Sequence, residues 1–398
     1  MGRSTAGRDV TLDVDHGSMK VILSVDSVKF PLTGVGRYTY ELAKQLQLQH
    51  DLELLLFANG RVVKDLPTHK QTKPKKTGWL RSQLLKSDLA TKTYQVLNGT
   101  RTQFSLQHHS DAVFHGPGFY LPKFGGPSVA TFHDLSMFTF AQYHPPERVR
   151  FMQRELKLTL QRASMLITDS EYTRQELSAY FGFPIDKIRS IPLACSADFH
   201  PRNVEDTEQV LNRLGLMHNG FTLYAGTVEP RKNIEALLDA YSSLPDVIRK
   251  HWPLVLAGYH GWQSEKLHER IDKAVNAGWA HYLGYVANDD LPYLFAGARL
   301  FVFPSHYEGF GLPVLEAMAS GVPVVCSNAS SLPEVAGGFA LMFDPEDVDT
   351  LRQLIVTGLE DDVWRDDAKL KGLLYASTFS WKKCAEETVS VYHELVKK

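Results

Sequence analysis

The chain has 398 residues, 43% of them hydrophobic, with 43 basic and 45 acidic side chains and a formal charge of -2. This length exceeds the roughly 250–300 residues at which one hydrophobic core stops growing, so it predicts two domains. The balanced charge argues against a nucleic-acid-binding protein, because such proteins carry a clear excess of Lys and Arg.

The cysteines and the lack of long apolar runs indicate a reduced, cytoplasmic environment. Cys195, Cys326 and Cys384 are widely spaced and form no CxxC pair, which favours free thiols over a disulfide framework or a zinc site. No apolar run approaches the 18 or so residues that span a bilayer. Residues 1–18 are polar and end in His-Gly-Ser, which is typical of an expression tag, so we expect the native start at Met19.

From Met19 onward, strands alternate with helices. Apolar, β-branched runs predict strands in KVILSVDSV, DLELLLFAN, DAVFHGPG, SVATFHDL and MLITDS, with helices such as YTYELAKQLQLQ and ERVRFMQRELKLTLQRA between them. Such alternation predicts a parallel sheet with helices on both faces. We assign residues 19–200 to this first domain.

The alternation restarts after a polar linker at residues 196–217. Further strands are predicted in FTLYAGTV, PLVLAGY, AHYLGYV, ARLFVFPS and VPVVCSN, again separated by helices. A second doubly wound domain is therefore expected at residues 201–379, with ligands at the carboxyl ends of its strands and in the cleft between the domains. We expect a last helix, residues 380–398, to cross back to the first domain.

Two polar segments of the first domain follow predicted strands. TGVGRY contains Gly34 and Gly36 but lacks the third glycine of a GxGxxG dinucleotide motif. A loop that closely approaches a ligand and a plain tight turn explain this segment equally well. His133 and Asp134 end a strand in TFHDL, and their place at the ligand edge of the sheet favours contact with a substrate.

A basic segment, Lys70–Lys86, separates the second and third predicted strands. It has six basic side chains and no acidic one, together with Trp79 and several leucines. This mixture suits the interface of an anionic membrane, where each cation contributes about 1 kcal/mol. A solvated loop is an equally good explanation, and RNA binding is a poorer third.

The first predicted strand of the second domain runs into GTVEPRKN, Gly226–Asn233. Arg231 and Lys232 stand where this strand passes into a helix. Arg can bind a diphosphate with its forked donors and Lys can bind it as a point charge. A solvated pair of surface charges is the alternative, but the position at the carboxyl end of a strand favours a diphosphate clamp.

Two glutamates flank a glycine turn in SHYEGFGLPVLEAMASG. Pro313 is expected to begin a helix that ends before Gly321, so Gly309–Leu312 form the loop at the helix N-terminus. Unpaired N–H groups and the helix dipole attract an anion there, and a phosphate is the natural candidate. Glu308 precedes the loop. Glu316 is expected on the first helical turn, where stabilisation of the helix start is an alternative to ligand binding.

These motifs are similar to those of the retaining glycosyltransferases of glycosyltransferase family 4. EGFGLPVLE matches the family's two glutamates separated by seven residues, and GTVEPRKN, SLPEVAG and FDPED are also typical of it. The resemblance extends over nearly the whole chain from Met19 and implies the α/β GT-B fold, in which two Rossmann-like domains face each other across a cleft. One departure is Thr227, where many relatives have Arg, so a diphosphate clamp would depend more on Arg231 and Lys232.

The resemblance also implies a role for each site residue. Glu308 would bind hydroxyls of the donor hexose, Glu316 would bind the ribose, and Arg231 and Lys232 would neutralise the diphosphate. Turnover is expected to depend on these two cations, on Glu308 and on His133, although neither glutamate is expected to be a catalytic acid. His133 and Asp134 would face the acceptor. The other donor contacts implied are Gly34, Gly36, Tyr285, Val286, Gly309, Phe310, Gly311 and Leu312.

The implied reaction is hexosyl transfer with retained anomeric configuration. The leaving phosphate can take the proton, so no enzymic base, metal or other cofactor is expected. LTGVGRYTYEL, HGPGFYLP and TFHDL are most similar to segments of bacterial mannosyltransferases that assemble O-antigen. This similarity implies GDP-mannose as the donor, a lipid-linked oligosaccharide as the acceptor, and a peripheral position on the inner face of the cytoplasmic membrane.

Other functions stay open on the sequence alone. A family 4 transferase could use another donor such as UDP-glucose. A nucleotide-sugar epimerase would isomerise its donor without an acceptor, and a phosphorylase would need free phosphate or a pyridoxal cofactor. A sugar-nucleotide sensor would bind the ligand without turnover.

Overall fold

A computed structural model describes residues 18–32, 34–68, 101–262 and 264–396 of the chain. The basic segment Lys70–Lys86 lies outside these residues. Within them the chain forms two α/β units, each built on one sheet, and this arrangement confirms the predicted fold class.

The first sheet has seven strands. They are β1 Met19–Ser24, β2 Leu52–Ala58, β3 Arg61–Val63, β4 Val113–Gly116, β5 Ser128–Phe132, β6 Met165–Thr168 and β7 Ile188–Ser190. Their order is β3-β2-β1-β4-β5-β6-β7, and all neighbours are parallel except β3, which forms an antiparallel pair with β2. β3 and β7 were not predicted from the sequence, because a strand of three residues is too short to show a pattern.

The helices of the first unit are α1 Gly34–Leu46, α2 Ser136–Thr139, α3 Pro146–Arg162 and α4 Glu171–Phe181, and residues 101–106 are also helical. The expected loop at Gly34 and Gly36 is wrong, since α1 already begins at Gly34 and both glycines lie in its first turn. A Cβ on Gly36 would lie only 2.8 Å from the Ser27 carbonyl oxygen. Close packing of α1 against the turn that follows β1 therefore accounts for this glycine.

The second sheet has six parallel strands in the order β10-β9-β8-β11-β12-β13. They are β8 Thr222–Ala225, β9 Leu254–Ala257, β10 Ala280–Gly284, β11 Leu300–Phe303, β12 Val324–Ser327 and β13 Leu341–Phe343. Every residue of β8, β9, β11 and β12 is buried. Helices on both faces explain why these strands read as continuous apolar runs.

The helices of the second unit begin within the predicted linker, residues 196–217, which contains the first of them. They are α5 Val204–Arg213, α6 Ile234–Ser242, α7 Asp246–His251, α8 Glu265–Asn276, α9 Leu291–Ala296, α10 Leu312–Ala319, α11 Leu332–Ala336, α12 Val348–Glu360 and α13 Asp362–Ala376. The strand order reverses between β1 and β4 in the first sheet and between β8 and β11 in the second. Ligands of doubly wound sheets bind at such switch points.

The last helix, α14 Trp381–Val396, returns to the first unit as expected and packs on α1, β4 and β6. The Tyr392 hydroxyl lies 2.6 Å from Nδ1 of buried His115, whose Nε2 lies 2.9 Å from the Thr131 hydroxyl. Burial lowers the pKa of His115 to about 3, so the ring is neutral and one nitrogen donates while the other accepts. This network fastens α14 to the first sheet.

In the part of the chain that the structure describes, no helix is both long enough and apolar enough to cross a membrane. The same residues contain no group of three or more His, Cys, Asp or Glu side chains placed to hold a metal. Cys195, Cys326 and Cys384 are free thiols.

Replacing Tyr392 with Phe tests the attachment of α14. The change keeps the ring but leaves a buried nitrogen of His115 without a partner, so we expect the free energy of unfolding to fall by about 1–3 kcal/mol. Urea unfolding followed by circular dichroism measures it. Tyr180→Phe, at an exposed position of α4, is the control, with an expected effect within about 0.5 kcal/mol. If the two variants are equally stable, the Tyr392–His115 bond contributes nothing.

Candidate active site

Several of the residues that the sequence singled out follow strands of the two sheets. His133 and Asp134 directly follow β5 of the first sheet. Arg231 and Lys232 lie in a short 3-10 turn after β8, and Glu308 follows β11. The site is therefore made of loops at the carboxyl ends of strands from both units.

Four buried charges form an ion cluster in the second unit, consisting of Glu229, Arg231, Lys232 and Glu308. Lys232 Nζ lies 2.5 Å from Glu308 Oε1, while Arg231 reaches Glu308 Oε2 at 3.4 Å and Glu229 Oε1 at 2.8 Å. None of these side chains is more than 12% exposed. Each of the two cations is thus paired with a carboxylate of the same unit.

The pKa shifts in this cluster follow from burial and pairing. Burial opposes ionisation of Glu308, but Lys232 and Arg231 outweigh it and hold the pKa of this carboxyl below its ordinary value. Glu308 therefore has no proton to donate at neutral pH, which supports a ligand-binding role over that of a catalytic acid. Burial and neighbouring Arg231 lower the pKa of Lys232 in spite of Glu308. An added anion beside Lys232 would favour its charged form.

The loop after Glu308 requires glycine at two positions. A Cβ on Gly309 would lie 1.7 Å from the His133 carbonyl oxygen of the first unit. Gly311 has a φ of +116°, and a Cβ there would lie 2.7 Å from Leu332. The first glycine therefore lets the two units touch beside the site, and the second lets the loop turn into α10.

Hydroxyl groups fix the shape of the same loop. The Glu308 N–H donates to the Ser330 hydroxyl at 2.8 Å. The Ser331 hydroxyl lies 2.9 Å from the Glu308 carbonyl oxygen and 2.7 Å from that of buried Phe310. The segment that leads into α11 therefore holds the main chain of Glu308 in place through these hydrogen bonds.

The expected position of Glu316 on the first helical turn is wrong. Helix α10 begins at Leu312 rather than Pro313, so Glu316 is its fifth residue and its first turn contains no acidic side chain. Burial raises the pKa of Glu316 to about 7, although Arg37 of the first unit opposes the shift. Stabilisation of a helix start therefore does not explain Glu316, and a hydrogen bond to a ligand stays the better interpretation.

His133 has no free ring nitrogen. Its Nδ1 shares a hydrogen bond with Asp169 Oδ2 at 2.7 Å, and its Nε2 donates to the Pro117 carbonyl at 2.8 Å. Burial opposes the charged form of the ring, but Asp169 outweighs it and raises the pKa of His133. Burial raises the pKa of Asp169 as well. The sequence analysis missed Asp169, although this residue directly follows β6 and so obeys the strand-end rule that found His133.

Asp134 and the predicted donor contacts Tyr285 and Val286 have separate surroundings. Asp134 Oδ1 accepts from the Ser136 N–H at 2.9 Å and the Ser136 hydroxyl at 2.8 Å. Tyr285 is exposed and stacks on Tyr259 with ring centroids 4.7 Å apart, while Val286 is buried. Tyr259 was not predicted, because one aromatic residue after a strand is no signal by itself. Together the two rings form an exposed aromatic surface beyond β9 and β10.

Comparison with known proteins gives one consistent result. A family model described as Glycosyltransferase Family 4 matches residues 32–199, and one described as Glycosyl transferases group 1 matches residues 212–372. The O-antigen chain mannosyltransferase B of Escherichia coli is 44% identical over 94% of this chain and 99% of its own. The serotype-specific mannosyltransferase WbdA of the same species is 34% identical over 59% of this chain and 29% of its own.

A solved structure with the same fold is Anabaena HepE in complex with UDP and glucose. It superimposes with a TM-score of 0.66 at 18% identity, over 95% of this chain and all of the HepE chain. At this level of identity the likeness concerns the fold of the two units.

The raised pKa of Glu316 predicts a pH-dependent stability. The folded-state pKa of Glu316 lies above its ordinary value of 4.5. The contribution of the protonated Glu316 carboxyl to folded-state stability is therefore complete below about pH 4.5 and is lost as the pH rises through 7. Replacement of Glu316 by Gln should therefore increase the free energy of unfolding relative to wild type by about 2 kcal/mol more at pH 8 than at pH 5.

Urea unfolding of the ligand-free protein at the two pH values measures this difference. The control is Glu269→Gln on the exposed side of α8, for which we expect the same difference from wild type at both pH values. If Glu316→Gln also shows an equal difference at pH 5 and pH 8, the carboxyl of Glu316 titrates normally.

Proposed function

Because the chain belongs to glycosyltransferase family 4, we propose that it transfers mannose from GDP-mannose to a lipid-linked glycan during assembly of a bacterial polysaccharide of the O-antigen type. The observation that carries the proposal is the similarity to the O-antigen chain mannosyltransferase B, which extends over nearly the full length of both chains. The site geometry supports a nucleotide-sugar donor, for the following reasons.

The ion cluster supports binding of a diphosphate. Arg231 and Lys232 lie between β8 and α6, and the N-terminus of α10 lies across the same site after Glu308. Two cations and a helix N-terminus together favour an anionic group. We place the diphosphate there, with the hexose towards Glu308 and the ribose towards Glu316. The exposed pair of Tyr259 and Tyr285 would then face the guanine.

The same groups support the chemistry of transfer. The bond between the sugar C1 and the phosphate oxygen breaks, a bond from the acceptor oxygen to C1 forms on the same face, and the hydroxyl proton passes to the leaving phosphate. The charge that develops on the leaving group is met by Arg231, Lys232 and the α10 N-terminus, so we propose no metal. His133 is poorly placed to serve as the base, because both of its ring nitrogens are already hydrogen-bonded, to Asp169 and to the Pro117 carbonyl.

The acceptor is proposed to enter from the first unit. His133 and Asp134 stand at the rim of the first sheet opposite the ion cluster, and Asp134 lowers the energy of the charged form of Arg231 across the cleft. An acceptor on a lipid carrier would bring the protein to an anionic membrane surface. The composition of Lys70–Lys86 suits such a surface.

A screen of donors against acceptors tests the proposal. We expect glycan extension, detected by mass spectrometry, when GDP-mannose is supplied with lipid-diphosphate glycans, and much less with UDP-glucose or UDP-N-acetylglucosamine. Equal transfer from UDP-glucose would contradict the mannose assignment. Isomerised donor in the absence of an acceptor would indicate an epimerase, and binding without turnover would indicate a sensor.

Glu308→Gln tests the division of work within the site. Loss of the charged contact to the sugar should lower the rate at saturating substrate by about 10-fold to 100-fold. The affinity for GDP, measured by calorimetry, should stay the same or rise, because Lys232 is released from its pair with Glu308. Glu269→Gln serves again as the unaffected control. A variant that loses GDP affinity but keeps its rate would show that Glu308 binds the nucleotide.

A further inference from the structure

A short segment of the second unit, residues 330–334, links the main chain of Glu308 to the first unit. Ser330 and Ser331, at its start, hold the main chain of Glu308. Glu334, at its end, extends its carboxylate to the first unit, where Glu334 Oε1 and Oε2 accept from the Glu171 N–H at 2.9 and 3.0 Å, and Oε2 accepts from the Tyr172 N–H at 3.3 Å. The two ends of this segment thus contact different units.

The carboxylate of Glu334 occupies the N-terminus of α4, an 11-residue helix of the first unit. The N–H groups of the first helical turn have no partner within a helix and attract negative charge. Ser170, the N-cap, satisfies Thr173, which leaves the N–H groups of Glu171 and Tyr172 for Glu334. The Glu171 carboxylate is itself paired with Arg174 at 2.8 Å, so it does not compete for this position.

Further contacts join the first unit to Tyr307 and Gly309, the residues on either side of Glu308. The hydroxyls of Ser170 and Thr173 donate to the Gly309 carbonyl at 2.7 and 3.2 Å. The Tyr307 hydroxyl donates to Glu176 at 2.5 Å and accepts from the Leu135 N–H at 2.9 Å. The residues on both sides of Glu308 are therefore docked on α4 or beside it.

The Glu334 end of the segment is also bound to helix α13 of its own unit. The Tyr375 hydroxyl of α13 donates to the Glu334 carbonyl at 2.9 Å. Gly337, with a φ of +58°, lies against the Tyr375 ring and ends α11. The Glu334 end of the segment is therefore held by α13 as well as by α4.

We propose that Glu334 is a positioning residue for transfer. Its carboxylate, bound at the N-terminus of α4, holds the two units closed so that Glu308 faces His133 and Asp134. The contribution to turnover rests on the proposed function, whereas the closure itself does not. Within the described parts of the chain, the Glu334 carboxylate accepts only from N–H groups of the first unit, so its loss weakens closure of the cleft while the Ser330 and Ser331 hydroxyls still hold the main chain of Glu308.

The test compares Glu334→Ala and Glu334→Gln with wild type and with Glu269→Ala, a second-unit surface control. Glutamine keeps the size of the side chain and one acceptor oxygen but loses the charge, so it guards against a folding defect of the alanine variant. We measure the radius of gyration by small-angle X-ray scattering, GDP affinity by calorimetry, and the transfer rate at saturating GDP-mannose and acceptor.

For Glu334→Ala we expect a larger radius of gyration, a transfer rate lowered by about tenfold or more, and GDP affinity within about twofold of wild type. Glu334→Gln should lie between this variant and wild type, and Glu269→Ala should match wild type. An unchanged transfer rate overturns the proposal, and so does a GDP affinity that falls in parallel with the rate. If wild type transfers no mannose, the proposed function fails, and the scattering comparison alone then decides whether Glu334 closes the cleft.

Discussion

The pairing of Glu308 with Lys232 and Arg231 is the interaction on which the rest of the site depends. Buried charges are costly unless each has a partner, and removal of one partner typically destabilises by about 3–5 kcal/mol. Here two cations balance Glu308 and Glu229 in a space that solvent hardly reaches. The two carboxylates favour the charged forms of both cations, and the pairing gives the Glu308 carboxylate a fixed position.

Loops that follow neighbouring strands of the second sheet bring this cluster together, and one of them also contacts the first unit. Arg231 is brought to it by the turn after β8 and Glu308 by the loop after β11, and these strands are neighbours at the switch point of the second sheet. Gly309 then brings the Glu308 loop against the His133 carbonyl. Glu334 reaches the first unit from the segment that holds Glu308. The second sheet therefore sets the position of Glu308, and these contacts fix that position relative to the first unit.

The sequence predicted the residues that follow a simple local rule. His133, Arg231 and Lys232 were found because they follow strands of a doubly wound sheet, and Glu308 was found because it precedes a glycine turn and a helix. The start of α10 was misplaced by one residue, since the left-handed backbone of Gly311 allows Leu312 to be helical. That shift moved Glu316 out of the first turn. Two hydrogen-bonding residues, Ser330 and Glu334, act on parts of the chain distant in sequence, and no local pattern reveals such partners.

The most direct test is a crystal structure of the protein with GDP bound. If the ion cluster binds the donor, the diphosphate oxygens should lie about 2.7–2.9 Å from Lys232 Nζ and from the Arg231 guanidinium, beside the N-terminus of α10. Glu308 should lie on the side of the diphosphate where the hexose would continue. A diphosphate bound elsewhere, with the ion cluster undisturbed and out of its reach, would contradict the claim that this cluster is the centre of the donor site.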